Sequence, residues 1–160
     1  MKLYIRQKVF SFNDKFDIYN EAGEPLYYCE GEIFSIGSKL RLYDMQDREL
    51  FYIKQKVLSF MHAYDIYAQE NLCASVQEQL ALFRTKLRVE SSYGSFDIEG
   101  SFWEHDFSIY CNGRLLGTVQ KAWMTWGDSY CLQVAQEKDA AFFTALVIAI
   151  DNVQQQHNAS

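Results

Sequence analysis

Hydrophobic and polar residues alternate along most of this chain with the two-residue period of a half-buried strand. Phe16-Asp17-Ile18-Tyr19, Tyr64-Asp65-Ile66-Tyr67 and Phe107-Ser108-Ile109-Tyr110-Cys111 are runs of this kind, rich in β-branched and aromatic residues. Turn residues punctuate them at Asn13-Asp14, Asn20 to Gly23, Asp44 to Asp47, Tyr93-Gly94, Asn112-Gly113 and Gly127-Asp128. The pattern predicts about twelve strands, near 4–12, 15–20, 25–32, 38–44, 49–60, 63–69, 72–77, 85–91, 95–102, 105–112, 114–125 and 129–135. A short helix within Val76 to Arg84 is the alternative to continuous strand there.

One segment breaks the alternation. Ala140 to Ile150, AAFFTALVIAI, is apolar on every face, the mark of a helix surrounded by protein. Asp139 is placed to cap its start, and Asp151-Asn152 with Gln154 to Gln156 mark a polar exit, so the helix spans about 139–154. The apolar stretch reaches about 16 Å as a helix. That is too short for the roughly 30 Å core of a bilayer, and no transmembrane span is expected.

Comparing the chain with itself supplies a container for this helix. Residues 4–19, YIRQKVFSFNDKFDIY, return at 52–67 as YIKQKVLSFMHAYDIY, with ten of sixteen positions identical at an offset of 48. Lys39-Leu40-Arg41-Leu42 returns as Lys86-Leu87-Arg88-Val89, and a weaker third copy starts at Gln120-Lys121 and runs through Trp126-Gly127-Asp128-Ser129-Tyr130. A sheet of about twelve strands closes rather than leaving bare edges, and a barrel wider than about eight strands has room inside. The expectation is therefore a mainly β chain. It is a closed antiparallel barrel of about twelve strands, built from repeated hairpins around a central apolar C-terminal helix, as one domain over 1–160.

Composition narrows the function classes. Of 160 residues, 49% are hydrophobic and 16% aromatic, too many for a disordered chain. The net charge of -6 disfavours nucleic-acid binding through bulk charge. The start, MKLYIRQKVFSF, has neither the apolar run nor the cleavage site of a secretory signal, so a cytoplasmic location is expected. Cys29, Cys73, Cys111 and Cys131 are widely spaced and read as reduced, buried thiols. His62, His105 and His157 stand apart from one another, and no Cys–His pair has ligand spacing, so neither a metal nor a cofactor is expected.

The repeated QK-x-x-S-F and DIY hairpins, the E-G element at Glu30-Gly31 and Glu99-Gly100, the Asp44 to Glu49 connection, V-Q-K-A-W…W-G-D-S-Y and the final apolar helix together resemble the LURP-one-related (bacterial YxjI-like) family. That family lies within the Tubby C-terminal-like superfamily, which includes phospholipid scramblases. The resemblance covers nearly the whole chain and implies a closed twelve-stranded barrel around a central C-terminal helix. Tubby-type relatives imply recognition of phosphoinositide head groups at a basic surface. Scramblase-like relatives imply a calcium loop and a cysteine cluster, and this sequence has neither an EF-hand-like run nor clustered cysteines.

Enzyme motifs are missing: there is no G-x-S-x-G, P-loop, G-x-G-x-x-G or H-E-x-x-H. Asp17 and Asp65 are equivalent in the repeat, as are Glu30 and Glu99, which points to structural roles. The basic residues carry the more specific pattern. Arg6 and Lys8, Lys39 and Arg41, Lys54 and Lys56, and Lys86 and Arg88 are spaced i, i+2, so each pair shares one strand face. With Lys121 they form a candidate anion- or lipid-binding set, set against the simpler reading of solvated outer faces paired with carboxylates. Trp103, Trp123 and Trp126 read first as packing aromatics and second as the lining of an apolar pocket. The expected function is a non-catalytic binding or scaffold domain that recognises an anionic lipid head group or a phosphorylated small molecule. A phospholipid-handling protein or enzyme, and a regulatory module that docks a protein partner, are the two alternatives.

Overall fold

A computed structural model describes residues 1–8, 15–82, 84–122 and 129–159. Its strands are β1 (Lys2–Gln7), β2 (Lys15–Asn20), β3 (Pro25–Gly31), β4 (Lys39–Asp44), β5 (Glu49–Gln55), β6 (Ala63–Ala68), β7 (Asn71–Ala81), β8 (Arg84–Ser91), β9 (Gly94–Ser101), β10 (Asp106–Cys111), β11 (Arg114–Ala122) and β12 (Ser129–Val134). The helix α1 (Ala140–Ala159) follows a single 3-10 turn, Glu137–Asp139. Each strand pairs antiparallel with its neighbours in sequence, and β1 pairs with β12 to close the ring.

The strand period decides which residues point inward. Leu3 and Ile5, Phe16 and Ile18, Leu40 and Leu42, and Tyr64 and Ile66 alternate with partly exposed neighbours and have no exposed surface themselves. They face α1, in which Ala145 to Ile150 are at most 1% exposed on every side. Phe96 stacks on Phe143 with ring centroids 5.9 Å apart, and Phe51 and Phe96 flank Phe142 at 6.0 and 6.3 Å. Full burial of one such aliphatic or aromatic side chain contributes about 1.5–3 kcal/mol.

The repeated sequence has a structural cause. The pairing slips by one residue after Ile18, Leu42, Ile66 and Ile109, at the same step of four hairpins. These bulges sit on Asp-Ile-Tyr, Arg-Leu-Tyr, Asp-Ile-Tyr and Ser-Ile-Tyr. A bulge sharpens local twist, which a sheet needs to curl shut. The repeat unit is therefore one hairpin: β2, β4 and β6 begin 24 residues apart, half the offset of the long duplication.

Several expected boundaries shift. β5 ends at Gln55 rather than at residue 60; Lys56 to Phe60 form a turn in which the Ser59 amide donates to the Lys56 carbonyl at 3.2 Å. Apolar Val57, Leu58 and Phe60 imitate a strand in the sequence but face outward from the barrel end. The alternative helix in Val76 to Arg84 is absent, because β7 is paired with β8 from Ala74↔Ser91 to Ala81↔Arg84. The Asp139 carboxylate accepts a hydrogen bond from the Tyr93 hydroxyl at 3.1 Å instead of capping α1. The helix continues past the expected exit to Ala159, since Asp151 and Asn152 are buried within it. Cys29 is buried as expected, whereas Cys73, Cys111 and Cys131 are partly exposed; all four are free thiols. The ends of the strands expected at 4–12 and 114–125, the turn residues Asn13-Asp14, Trp123 and Trp126 to Asp128 lie outside the described residues.

The β4–β5 turn shows how one carboxylate holds a hairpin. Asp44 accepts hydrogen bonds from the amides of Gln46 (2.9 Å) and Arg48 (3.0 Å) and from Arg48 Nε (2.7 Å). Burial alone would raise this carboxyl, but the Arg48 amide, the Arg48 side chain and the Gln46 amide outweigh it and hold the carboxyl below the usual Asp range. A lowered folded-state value means that the stabilisation is complete above the unfolded Asp pKa of about 3.9 and is lost as pH falls through the folded value. Thermal melts from about pH 6 to about pH 3 should therefore show a falling Tm, and Asp44→Ala should lower the Tm at pH 6 and shrink that fall. An unchanged acid profile in Asp44→Ala would count against this role.

Candidate binding face

The antiparallel ring gives the barrel two unlike ends. At the end where α1 starts lie the turns at Asn20–Glu24, Asp44–Arg48 and Gln69–Glu70, with Glu21, Glu24, Asp47, Glu70 and Glu137. At the end where α1 stops, Lys8, Lys15, Lys39, Lys54, Lys56, Lys86 and Lys121 all stand within two residues of a strand terminus. Seven of the nine lysines thus stand on one rim, interspersed there with Asp17, Glu30, Glu32, Glu99, Glu104 and Asp106.

The nine candidate residues do not form one patch. Lys8 bonds Asp17 at 2.9 Å on the outside of β1–β2. Arg41 lies over the Tyr52 ring at 4.3 Å, pairs with Glu49 at 2.6 Å and contacts Glu32; Lys39 is 3.9 Å from the same Glu32. Arg88 pairs with Glu90 at 2.9 Å. These residues follow the solvated-face reading, with cross-strand or local carboxylate partners. Arg6, on β1 opposite Asp17 and Ser129, lies beside Lys8, and Lys86 lies beside Arg88 on the outer face of β8, so these two pairs occupy separate stretches of the wall. Lys121 has the inward parity of Gly117 and Val119 and lines the barrel mouth.

Two pairs do meet. Lys39 is the direct register partner of Lys54 across β4–β5, with Lys56 at the next strand exit. Like charges placed opposite each other destabilise a sheet. On its other side Lys54 stands opposite Asp65 of β6, but that carboxylate accepts from the Ser75 hydroxyl at 2.6 Å. Lys54 and Lys56 make no ion pair among the described residues and line a cavity of about 460 Å³ with Asp65 and Tyr67.

The loops beside these lysines are fixed to each other. The Ser38 amide donates to Gln55 Oε1 at 2.8 Å, and the Gln55 amide donates to the Ser38 carbonyl at 2.9 Å. Gly37 has φ +75°, and a Cβ there would sit 2.3 Å from Val57 Cγ1, so only glycine permits the close approach. From this joined base the tips project into solvent: Phe34 is 102% exposed, Leu58 99% and Phe60 95%. Phe34 also adopts φ +61°, a left-handed conformation unusual for a bulky residue.

The mouth beside α1 holds a second cluster, which sequence reasoning missed. His105 Nε2 lies 2.7 Å from Asp151 Oδ1, and Gln155 donates to Asp151 Oδ2 at 2.7 Å and to Gln7 Oε1 at 3.1 Å. His157 Nδ1 lies 2.7 Å from buried Glu78, and His62 is 4.0 Å from the same carboxylate. The histidines, expected to be isolated, thus converge on two acids at one end of the barrel. His105 stacks on Tyr130 at 4.6 Å; burial, then the Asp151 charge, push the Tyr130 phenol well above its ordinary range. His105, Tyr130, Asp151 and Gln155 border a cavity of about 530 Å³ with Trp103, Lys121, Ser129 and Gln154. The available signal was Asp151, which follows Ile148 by three residues and therefore shares its buried helical face. Trp103 packs on Phe102, with ring centroids 4.3 Å apart, against the core.

Comparison with known proteins agrees with this architecture. The chain is 31% identical over 153 residues, 96% of its length and 93% of the relative's, to an uncharacterized protein, YxjI, of Bacillus subtilis (strain 168). The X-ray structure of a protein from Arabidopsis thaliana superposes with a TM-score of 0.67 at 18% identity, covering 95% of this chain and 91% of that one, and so shares the fold. The family described as LURP-one-related matches residues 1–151, and the chain belongs to that family.

Proposed function

We propose that this chain is a non-catalytic binding domain that takes an anionic, phosphate-bearing ligand at Lys39, Lys54 and Lys56. The observation that carries the reading is the register itself: two lysines face each other across β4–β5 at a cost to the sheet, with a third beside them; Glu32 is shared between Lys39 and Arg41, and among the described residues Asp65, opposite Lys54, forms no ion pair with it. An anion placed between them relieves that repulsion and accepts charge-assisted hydrogen bonds. The placement of seven of the nine lysines on this rim supports the same reading, because it offers several cations to a negative partner.

A reading as an enzyme draws on the His105–Asp151 pair in the mouth cavity. Nucleophilic chemistry there needs a hydroxyl or thiol hydrogen-bonded to the histidine. Ser129 Oγ and the Tyr130 hydroxyl border the cavity, and neither is hydrogen-bonded to His105 among the described residues, which favours the binding reading.

Co-sedimentation with vesicles tests the binding reading. Phosphatidylcholine vesicles containing about one-third phosphatidylserine should retain the protein better than phosphatidylcholine alone, with an affinity that falls as salt rises. At about 1 kcal/mol per lysine near an anionic surface, Lys39→Ala/Lys54→Ala/Lys56→Ala should weaken this binding about a hundredfold. Equal binding of the triple variant, or no preference of the wild type for the anionic vesicles, would remove the proposal.

A further inference from the structure

We infer that the ligand of the lysine rim belongs to a bilayer, and that the apolar loop tips beside it enter the hydrocarbon; this rests on the binding reading above. The tips are Phe34 and Ile36 between β3 and β4, Leu58 and Phe60 between β5 and β6, and Leu82 between β7 and β8. All five project from the same end of the barrel and are more than four-fifths exposed. Isolated apolar residues on a surface need no explanation, but a set confined to one end, on successive loops, marks an interaction face.

The sequence repeats these tips as it repeats the hairpins. Ile33-Phe34-Ser35-Ile36 and Val57-Leu58-Ser59-Phe60 are 24 residues apart, and the same apolar-apolar-Ser-apolar pattern stands 24 residues earlier at Val9-Phe10-Ser11-Phe12, outside the described residues. Strand periodicity and barrel closure do not require apolar residues at a turn that contributes nothing to the core. Phe34 additionally keeps its left-handed backbone while making no use of burial, and strained residues of this kind gather at functional segments.

The form of the tips selects the partner. A folded protein partner presents a fixed surface and favours a contiguous, packed apolar patch with a polar rim. Here the side chains stand on separate loops, in solvent, with lysines close behind them at the strand ends. A fluid bilayer accepts such separate prongs without matching their shape, and the lysines then lie at the depth of anionic head groups. The joined base of the first two loops, where Gly37 presses on Val57, holds Phe34 and Leu58 together, so both enter as one unit.

Penetration is read directly by Phe34→Trp, since the site is fully exposed and the substitution removes no core contact. On phosphatidylcholine vesicles with about one-third phosphatidylserine, the emission this variant adds to that of the wild type should shift to the blue and be quenched by lipids brominated in the acyl chain. Phe34→Ser/Leu58→Ser/Phe60→Ser should keep the wild-type Tm and lose at least about a hundredfold in vesicle affinity, because each tip contributes on the order of tenfold. Vesicle-bound Phe34→Trp protein whose added emission stays water-like and unquenched would overturn insertion while leaving the lysine reading intact. Wild-type affinity in the triple serine variant would overturn it equally. A wild type that dimerises through these tips in sedimentation equilibrium, with a monomeric serine variant and no quenching on vesicles, would replace the bilayer with a second copy of the chain. Sedimentation with neither vesicle type would end both readings.

Discussion

Ile148→Asp is expected to give a chain that does not fold into the barrel. Ile148 has no exposed surface and sits at the middle of α1, between Leu146, Val147, Ala149 and Ile150, which are equally enclosed. No described basic residue belongs to this part of the core. A carboxylate there has to remain charged without a partner or take up a proton, and either course costs several kcal/mol on top of the lost aliphatic burial. Domain stability is only about 5–15 kcal/mol, so one such substitution consumes most or all of it. Ile148→Val, which keeps the apolar character, should cost only about 0.5–1.5 kcal/mol. Chemical denaturation of the valine variant and a far-ultraviolet spectrum of the aspartate variant make the comparison. A cooperative melt of Ile148→Asp near the wild-type Tm would show that the helix does not fill the lumen.

The second large effect lies at the barrel mouth. His105→Ala removes the group that contacts Asp151 Oδ1 at 2.7 Å and leaves a side chain only 5% exposed, with the Gln155 amide still donating to its other oxygen. Breaking one side of a buried pair typically costs about 3–5 kcal/mol, because the other group is stranded rather than because the pair itself is strong. The companion variant separates these causes. His105→Phe/Asp151→Leu removes both polar groups and should recover most of the loss, with Phe in the ring position stacked on Tyr130. Guanidinium denaturation of both variants provides the check. If the double variant is as unstable as the single one, the polar pair itself holds the mouth together.

The interior of this fold was legible because local pattern determines it. Asp17-Ile18-Tyr19 alternates, Ala140 to Ile150 does not, and those two periods alone specify wall and filler. Errors fell where polarity and location disagree. Asp151 and Asn152 looked like a helix exit, yet His105, Gln155 and the Ile148 carbonyl satisfy them inside the barrel, and α1 runs on to Ala159. Leu58 and Phe60 looked like strand residues, and they are a solvent-facing turn. Spacing alone placed Lys39 and Arg41 on one outer face, but not which charges stand across from them. Lys54 opposite Lys39, and Glu32 beside Arg41, depend on register across strands, which is set by bulges and turns rather than by neighbours in sequence.

The order of the elements has a consequence for biogenesis. On the ribosome, the second neighbour of β1, β12, is made more than a hundred residues after it, and the helix that fills the lumen comes after both. Until then the nascent sheet has two unpaired edges and an inner wall of Leu3, Ile5, Phe16 and Ile18 with nothing against it. Synthesis must therefore pass β12 and α1 before the ring can shut, so closure of this barrel is late and slow, with a long interval in which holdase chaperones and aggregation compete for the same exposed surface.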